Sequence, residues 1–172
     1  MNIPETVTFE DALALTQSLM SQMAAGEISP PEIEQAIAQL VKTKNGARGF
    51  FVTYLTSEGT LADNPSPEVI QALQSSDIVP ELLVKNLAMS SAAGLKHRRN
   101  GDEETAQGSD QVRSRTTNLI EQVKMDQVQE IAAELRESAV TGEGNYQAFL
   151  KRWQYDAEQR EIIAQAMEII NN

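Results

Sequence analysis

Apolar residues recur along this chain at helical spacing, and most of the runs carry their own start and stop signals. Thr8 and Asp11 approximate a capping box, after which Phe9, Ala12, Leu13, Leu19, Met20 and Met23 mark a first helix that Gly26 ends. In "SPPEIEQAIAQLVKTKNG", Ser29 reads as N-cap, Pro30 as the first helical residue and Glu32 as the other half of a capping box. Ile33, Ala36, Ile37, Leu40 and Val41 form the stripe, Lys42 and Lys44 suit the C-terminal dipole, and Gly46 is the expected stop.

"ARGFFVTYLT" has the aromatic and β-branched content of a strand, yet no second strand exists for it to pair with, so a helix is expected. "SEGTLADNPSP" reads as a loop, and "SPEVIQALQ" as a short helix with Ser66 as cap and Pro67 at its first position. Asp77 is placed to cap a long helix running to about Gly101, followed by a polar loop, "DEETAQGSD". Val112, Leu119, Ile120 and Val123 set the next helix. Asp126 with Gln129 then caps one carrying Val128, Ile131, Ala132 and Leu135, which "TGEGN" closes. The final helical segment is expected to break near Tyr155 and Asp156, with Asp156 capping a last stripe of Ile162, Ile163, Ala166, Met167 and Ile170. The pattern predicts an all-α fold: one compact domain over residues 1–172, about seven or eight helices, unfolding as a single cooperative unit.

Composition narrows the chemistry. At 172 residues, 41% hydrophobic and 23% charged, the chain has the proportions of an ordinary globular domain. With no cysteine there is no disulfide, thiolate zinc site or thiol nucleophile, which fits a reducing compartment. The N-terminal stretch lacks the basic and apolar regions of a secretory signal, so a cytoplasmic location is expected. The most apolar window, residues 78 to 95, is interrupted by Glu81, Lys85 and Asn86, which argues against a membrane span and for a buried helix. A net charge of −11 repels phosphate backbones, so nucleic acid is disfavoured as a partner.

One stretch departs from this acidity. Residues 96 to 125 hold six Lys/Arg against five acids, a net of +1, while the rest of the chain sums to −12. If Arg98 and Arg99 faced Arg113 and Arg115 across a helical hairpin, they would form a receptor for an acidic partner or a phosphate. The plainer reading pairs Arg98 with Asp102 and Arg99 with Glu103 at i,i+4 on a charged helix end. Arginine–aromatic interleaving of the kind that binds single strands is missing.

"GARGFFVTYLTSEG" and "LVKNLAMSSAAGLKHRRNGDEETAQGSDQVRSR" resemble small, uncharacterised helical proteins of cyanobacteria across the middle third of the chain. The resemblance implies a bacterial cytosolic setting and no particular activity.

Catalytic signals are sparse. His97, the only histidine, has neither cysteine nor a second histidine to complete a typical zinc site and no oriented partner for acid–base work. Counting from Asp102 puts Gln107 where a calcium loop needs glycine, and neither a phosphate-binding loop nor a nucleophile elbow is present. No catalytic, cofactor or metal residue is therefore assigned. Two aromatic clusters, Phe50, Phe51 and Tyr54, and Tyr146, Phe149, Trp153 and Tyr155, are expected to pack together in the core. Alternatively they form a partner groove, since Arg48, Lys151 and Arg152 flank them. The small residues Ala88, Ser91, Ala92 and Gly94 permit close helix approach within the chain or a homodimer seam.

The expected function is that of a non-enzymatic interaction or regulatory protein. It would meet a protein partner, an acidic one on the receptor reading of the basic stretch, through a helical surface drawn from Arg98, Arg99, Arg113, Arg115, Arg48 and Trp153. Two alternatives stand beside it: a small enzyme with scattered residues near Arg48, Tyr54 and His97, and a phosphate or nucleic-acid binder using the island at 96–115.

Overall fold

The computed structural model describes residues 1–171, in which nine helices and no strand occur. They are α1 (Phe9–Ala25), α2 (Pro30–Leu40), α3 (Lys44–Thr56), α4 (Pro67–Gln74), α5 (Val79–Arg99), α6 (Glu103–Val123), α7 (Asp126–Thr141), α8 (Gln147–Arg152) and α9 (Ala157–Ile170). The fold is all-α, with one helix more than the upper expectation. The chain divides into two compact units, Met1–Leu82 with Glu121–Val123, and Leu83–Ile120 with Lys124 onward.

In the first unit α1 packs on α3, and α2 on α4. Thr8 caps α1 by accepting the Asp11 N–H at 3.0 Å, and Gly26, at φ +69°, ends it. The aromatic segment is helical because its glycines sit at the approach of α3 to its neighbours. A Cβ at Gly49 would lie 2.4 Å from Ala12 Cβ, and one at Gly46 would lie 2.1 Å from the Leu40 carbonyl oxygen. Phe50, Phe51 and Tyr54 are thereby buried, with ring centroids 5.3 Å (Phe50–Phe51) and 5.1 Å (Phe50–Tyr54) apart. They join Leu19, Ile37, Leu40 and Leu73 in the core.

The expected end of α2 at Gly46 is not observed. The α2 helix stops at Leu40, and Gly46 lies inside α3 because Thr43 caps that helix, accepting the Gly46 N–H at 3.1 Å. Lys42 and Lys44 therefore do not lie in the last turn of α2. Ser66 is the N-cap residue of α4, as expected, although its hydroxyl makes no cap bond, being buried without a partner.

The second unit packs α7 on α9, with Val128, Ala132, Leu135, Ile163, Ala166 and Met167 buried. Asp156 caps α9 in a full capping box: it accepts the Gln159 N–H at 2.9 Å, and its own N–H reaches the Gln159 side chain at 3.0 Å. The break expected near Tyr155 and Asp156 is observed. Asp126, by contrast, is the first residue of α7 and not its cap, a position that Met125 holds without a side-chain bond.

The expected loop at 102–110 is helix from Glu103 onward. Asp102 accepts the Thr105 N–H at 3.2 Å, and Glu103 and Glu104 lie in the first turn, where they complement the helix dipole. Those three acids start α6 despite Gly108 in its interior.

Candidate functional site

The sequence "GLKHRRNGDEE" is the end of one helix and the start of the next. Gly101 adopts φ +75°, its N–H reaches the Arg98 carbonyl at 3.0 Å, and the Asp102 N–H reaches the His97 carbonyl at 2.9 Å. This pair of bonds is a Schellman stop, and Asp102 begins α6 at once. Because α5 ends at Arg99, the proposed i,i+4 pairs do not form. Arg98 instead holds Asp110 bidentately, with Nη1 on Oδ1 at 3.1 Å and Nη2 on Oδ2 at 2.5 Å, and also reaches Glu103 at 3.2 Å. Arg99 pairs with Asp156 at 2.8 Å.

These contacts set the local titration. The Arg98 hydrogen bond holds the Asp110 carboxyl below its ordinary range, and the charges of Arg98 and Arg113 add to the effect. Asp156 is lowered first by the Gln159 N–H and then by Arg99. Asp102 is lowered by its bonds to Thr105. Arg98 is raised by Asp110 and Glu103, so it stays charged throughout.

Of the predicted basic quartet, Arg98 and Arg113 act on one carboxylate, Asp110. What the hairpin assembles there is an acid-centred ion cluster. Arg115 is buried at 2% exposure, out of a partner's reach, and Arg99 turns to Asp156. Arg48, in the first unit, lies 5.1 Å over the Phe9 ring. Tyr54 is buried and donates its hydroxyl to the Leu61 carbonyl at 3.3 Å. The small-residue face of α5 is covered within the chain: a Cβ at Gly94 would meet Asp110 at 3.4 Å, and the Ala92 carbonyl accepts from Gln159 at 3.3 Å.

Trp153 is the exception. It is 48% exposed, the only exposed aromatic residue among those described, with the Arg152 guanidinium 5.9 Å from its ring. Trp153 is the C-cap of α8, and Gln154 follows at φ +54°. The Gln154 N–H reaches Lys151 O at 3.0 Å and the Tyr155 N–H reaches Leu150 O at 3.3 Å, a second Schellman stop with glutamine where glycine is usual. In the same unit Lys85 lies 5.9 Å from the Tyr146 ring and 5.4 Å from that of Phe149, while Phe149 meets Tyr155 edge-on at 6.3 Å. Burial pushes the Tyr155 hydroxyl up to about 12.

The α5 face bearing Ala92, Lys96 and Arg99 looks toward this stop. Ala92 is bonded to Gln159, Arg99 to Asp156, and Lys96 lies between them at helical spacing. Sequence reading missed this juxtaposition, since nothing in the spacing of Arg99 and Asp156 announces a contact across 57 residues.

An unforeseen open cleft of about 460 Å³ lies in the first unit, lined by Gln39, Lys42, Ser75, Ser76, Asp77 and Ile78 among others. Its serines are not activated nucleophiles: Ser75 donates to Ala72 O at 2.6 Å and Ser76 to Val41 O at 2.7 Å. Among the described residues no cluster of metal-ligating side chains occurs, and no helix is long and apolar enough to cross a membrane.

A family model described as uncharacterised conserved protein UCP020893 matches residues 8–170. The chain belongs to that family. Comparisons with curated proteins and with solved structures give no match.

Proposed function

We propose that this member of the family is a non-enzymatic interaction or regulatory protein of the bacterial cytosol, in the cyanobacterial setting its sequence suggests, and that it meets a protein partner through the helical surface of its second unit. The observation that carries this reading is the exposure of Trp153, held outward at a helix stop while the other ring-bearing residues are covered or half-covered. Tryptophan and arginine concentrate binding energy when a partner desolvates them. Of the three side chains named for the enzyme alternative, two are engaged elsewhere, Tyr54 on a backbone carbonyl and Arg48 on a phenyl ring.

The reading is tested by tagging the chain in its native cells and measuring the mass of the native assembly. A stoichiometric complex with a second protein is expected. A chain that migrates alone at its 18.9 kDa monomer mass in fresh extracts at low salt would refute it.

A further inference from the structure

Three exposed cations of the second unit have no ion-pair partner among the described residues: Lys151 and Arg152 beside Trp153 at the end of α8, and Lys96 on α5. Lys151 and Arg152 precede Trp153 directly, and all three residues are exposed. Lys96 shares the α5 face on which Arg99 reaches Asp156, three residues beyond Trp153. Asp156 is itself paired with Arg99. The patch is thus a surplus of positive charge around one exposed indole, in a chain whose net charge is −11.

Two helix C-termini lie here, and cations in their last turns complement the dipoles. That accounts for the charge but not for the indole in water. Nor does it account for the left-handed Gln154, which adopts a conformation that glycine adopts freely and glutamine does not.

From this we infer that Trp153, Lys96, Lys151 and Arg152 form a docking surface for an acidic segment of a partner protein. An apolar side chain of that segment would cover the indole, and flanking carboxylates would meet the three cations. The inference rests on the interaction reading and gives it a place and a chemistry. Charge complementarity selects the occupant: a protein segment supplies carboxylates together with an apolar residue, as the indole requires.

Trp153 is the only tryptophan in the chain, so its emission reports on this surface alone. The probe is a synthetic peptide of glutamates around a central leucine, titrated into the full chain. A saturable blue shift is expected, with an affinity that falls at least about 10-fold between low and moderately high salt. Replacing Lys151→Glu and Arg152→Glu together should weaken the peptide by at least about 10-fold, while Lys42→Glu with Lys44→Glu, an equal charge change in the first unit, should leave it unaltered. Trp153→Ala, followed by calorimetry, should cost about 30-fold, and this exposed position leaves the fold intact.

Unchanged emission up to about 1 mM peptide would overturn the inference, that concentration being the weak limit of specific binding. So would equal loss in both charge-reversed pairs, or a shift produced by anionic phospholipid vesicles or single-stranded DNA and not by the peptide. If the native complex forms and survives Lys151→Glu with Arg152→Glu, this surface is refuted and the interaction reading stands. If no native complex forms, the broader reading has failed.

Discussion

The two units solve the same packing problem with different materials. The first carries twelve acids against three cations, and the second thirteen against eleven, so nearly all of the net charge of −11 belongs to the first. Their interiors differ as well. The first buries Thr16 and Ser76 beside an aromatic and aliphatic core, whereas the second buries Ser90, Ser91, Arg115, Thr116, Ser138 and Gln159. Volume governs the first core, since α3 touches α1 only because Gly49 has no side chain. Hydrogen bonds govern more of the second: Gln159 to Ala92 O, Ser91 to Leu87 O at 2.7 Å, and the Tyr146 N–H to Ser138 Oγ at 3.0 Å. A near-neutral surface over a polar-stitched interior tolerates a docked acidic partner, which a unit at −9 would repel.

The contrast can be broken in a graded way. Gly49→Val should have the largest effect, about 3 kcal/mol or more of lost stability, because the added carbons collide with Ala12 and the Phe9 carbonyl. Calorimetric melting checks it. One transition is expected in wild type and variant alike, and two resolved transitions would contradict a single cooperative unit. In the second unit Gln159→Leu keeps the volume but removes half of the capping box and the bond to Ala92, and should cost about 2 kcal/mol by urea denaturation.

Thr16→Val should go the other way. The Thr16 hydroxyl is fully buried and has no hydrogen-bond partner, so removing it should stabilise the first unit by about 1 kcal/mol. The smallest effect belongs to Arg98→Gln with Arg99→Gln, whose ion pairs are exposed to solvent. Its signature is in the pH profile. Asp110 and Asp156 have lowered values in the folded state, so their contribution is present above the ordinary carboxylate range and is lost as pH falls through the lowered values. The arginine variant should therefore show a shallower loss of stability below about pH 4 than the wild type.

The helices were legible wherever a glycine or a capping box marked a boundary, as at Gly26, Gly142 and Asp156. They were illegible where the marker contradicted the pattern. The first turns of α6 offer one fully buried apolar anchor, Ala106, and contain Gly108, so periodicity fell silent while the Asp102 cap prevailed. Trp153 misled for a related reason. Trp153 was expected in the core with Tyr146 and Phe149, but Tyr146 and Trp153 are the two caps of a six-residue helix and Trp153 is exposed. Gln154 could not have been read as a stop, since nothing in its side chain favours positive φ. The basic island was visible as charge, but its partners Asp110 and Asp156 were fixed by tertiary contacts.

Gly101 also bears on the order of events in folding. The bonds that close the turn between α5 and α6 join residues at most five apart, and the ion pairs across it, from Arg98 to Glu103 and to Asp110, span five and twelve. The contact of Gly49 with Ala12 must close a loop of 37 residues. Local closure costs less chain entropy and needs no distant partner, so the turn at Gly101 forms ahead of the α1–α3 interface. Gly101→Ala, which strains that turn, should slow refolding in stopped-flow measurements. Gly49→Val should instead act mainly by hastening unfolding.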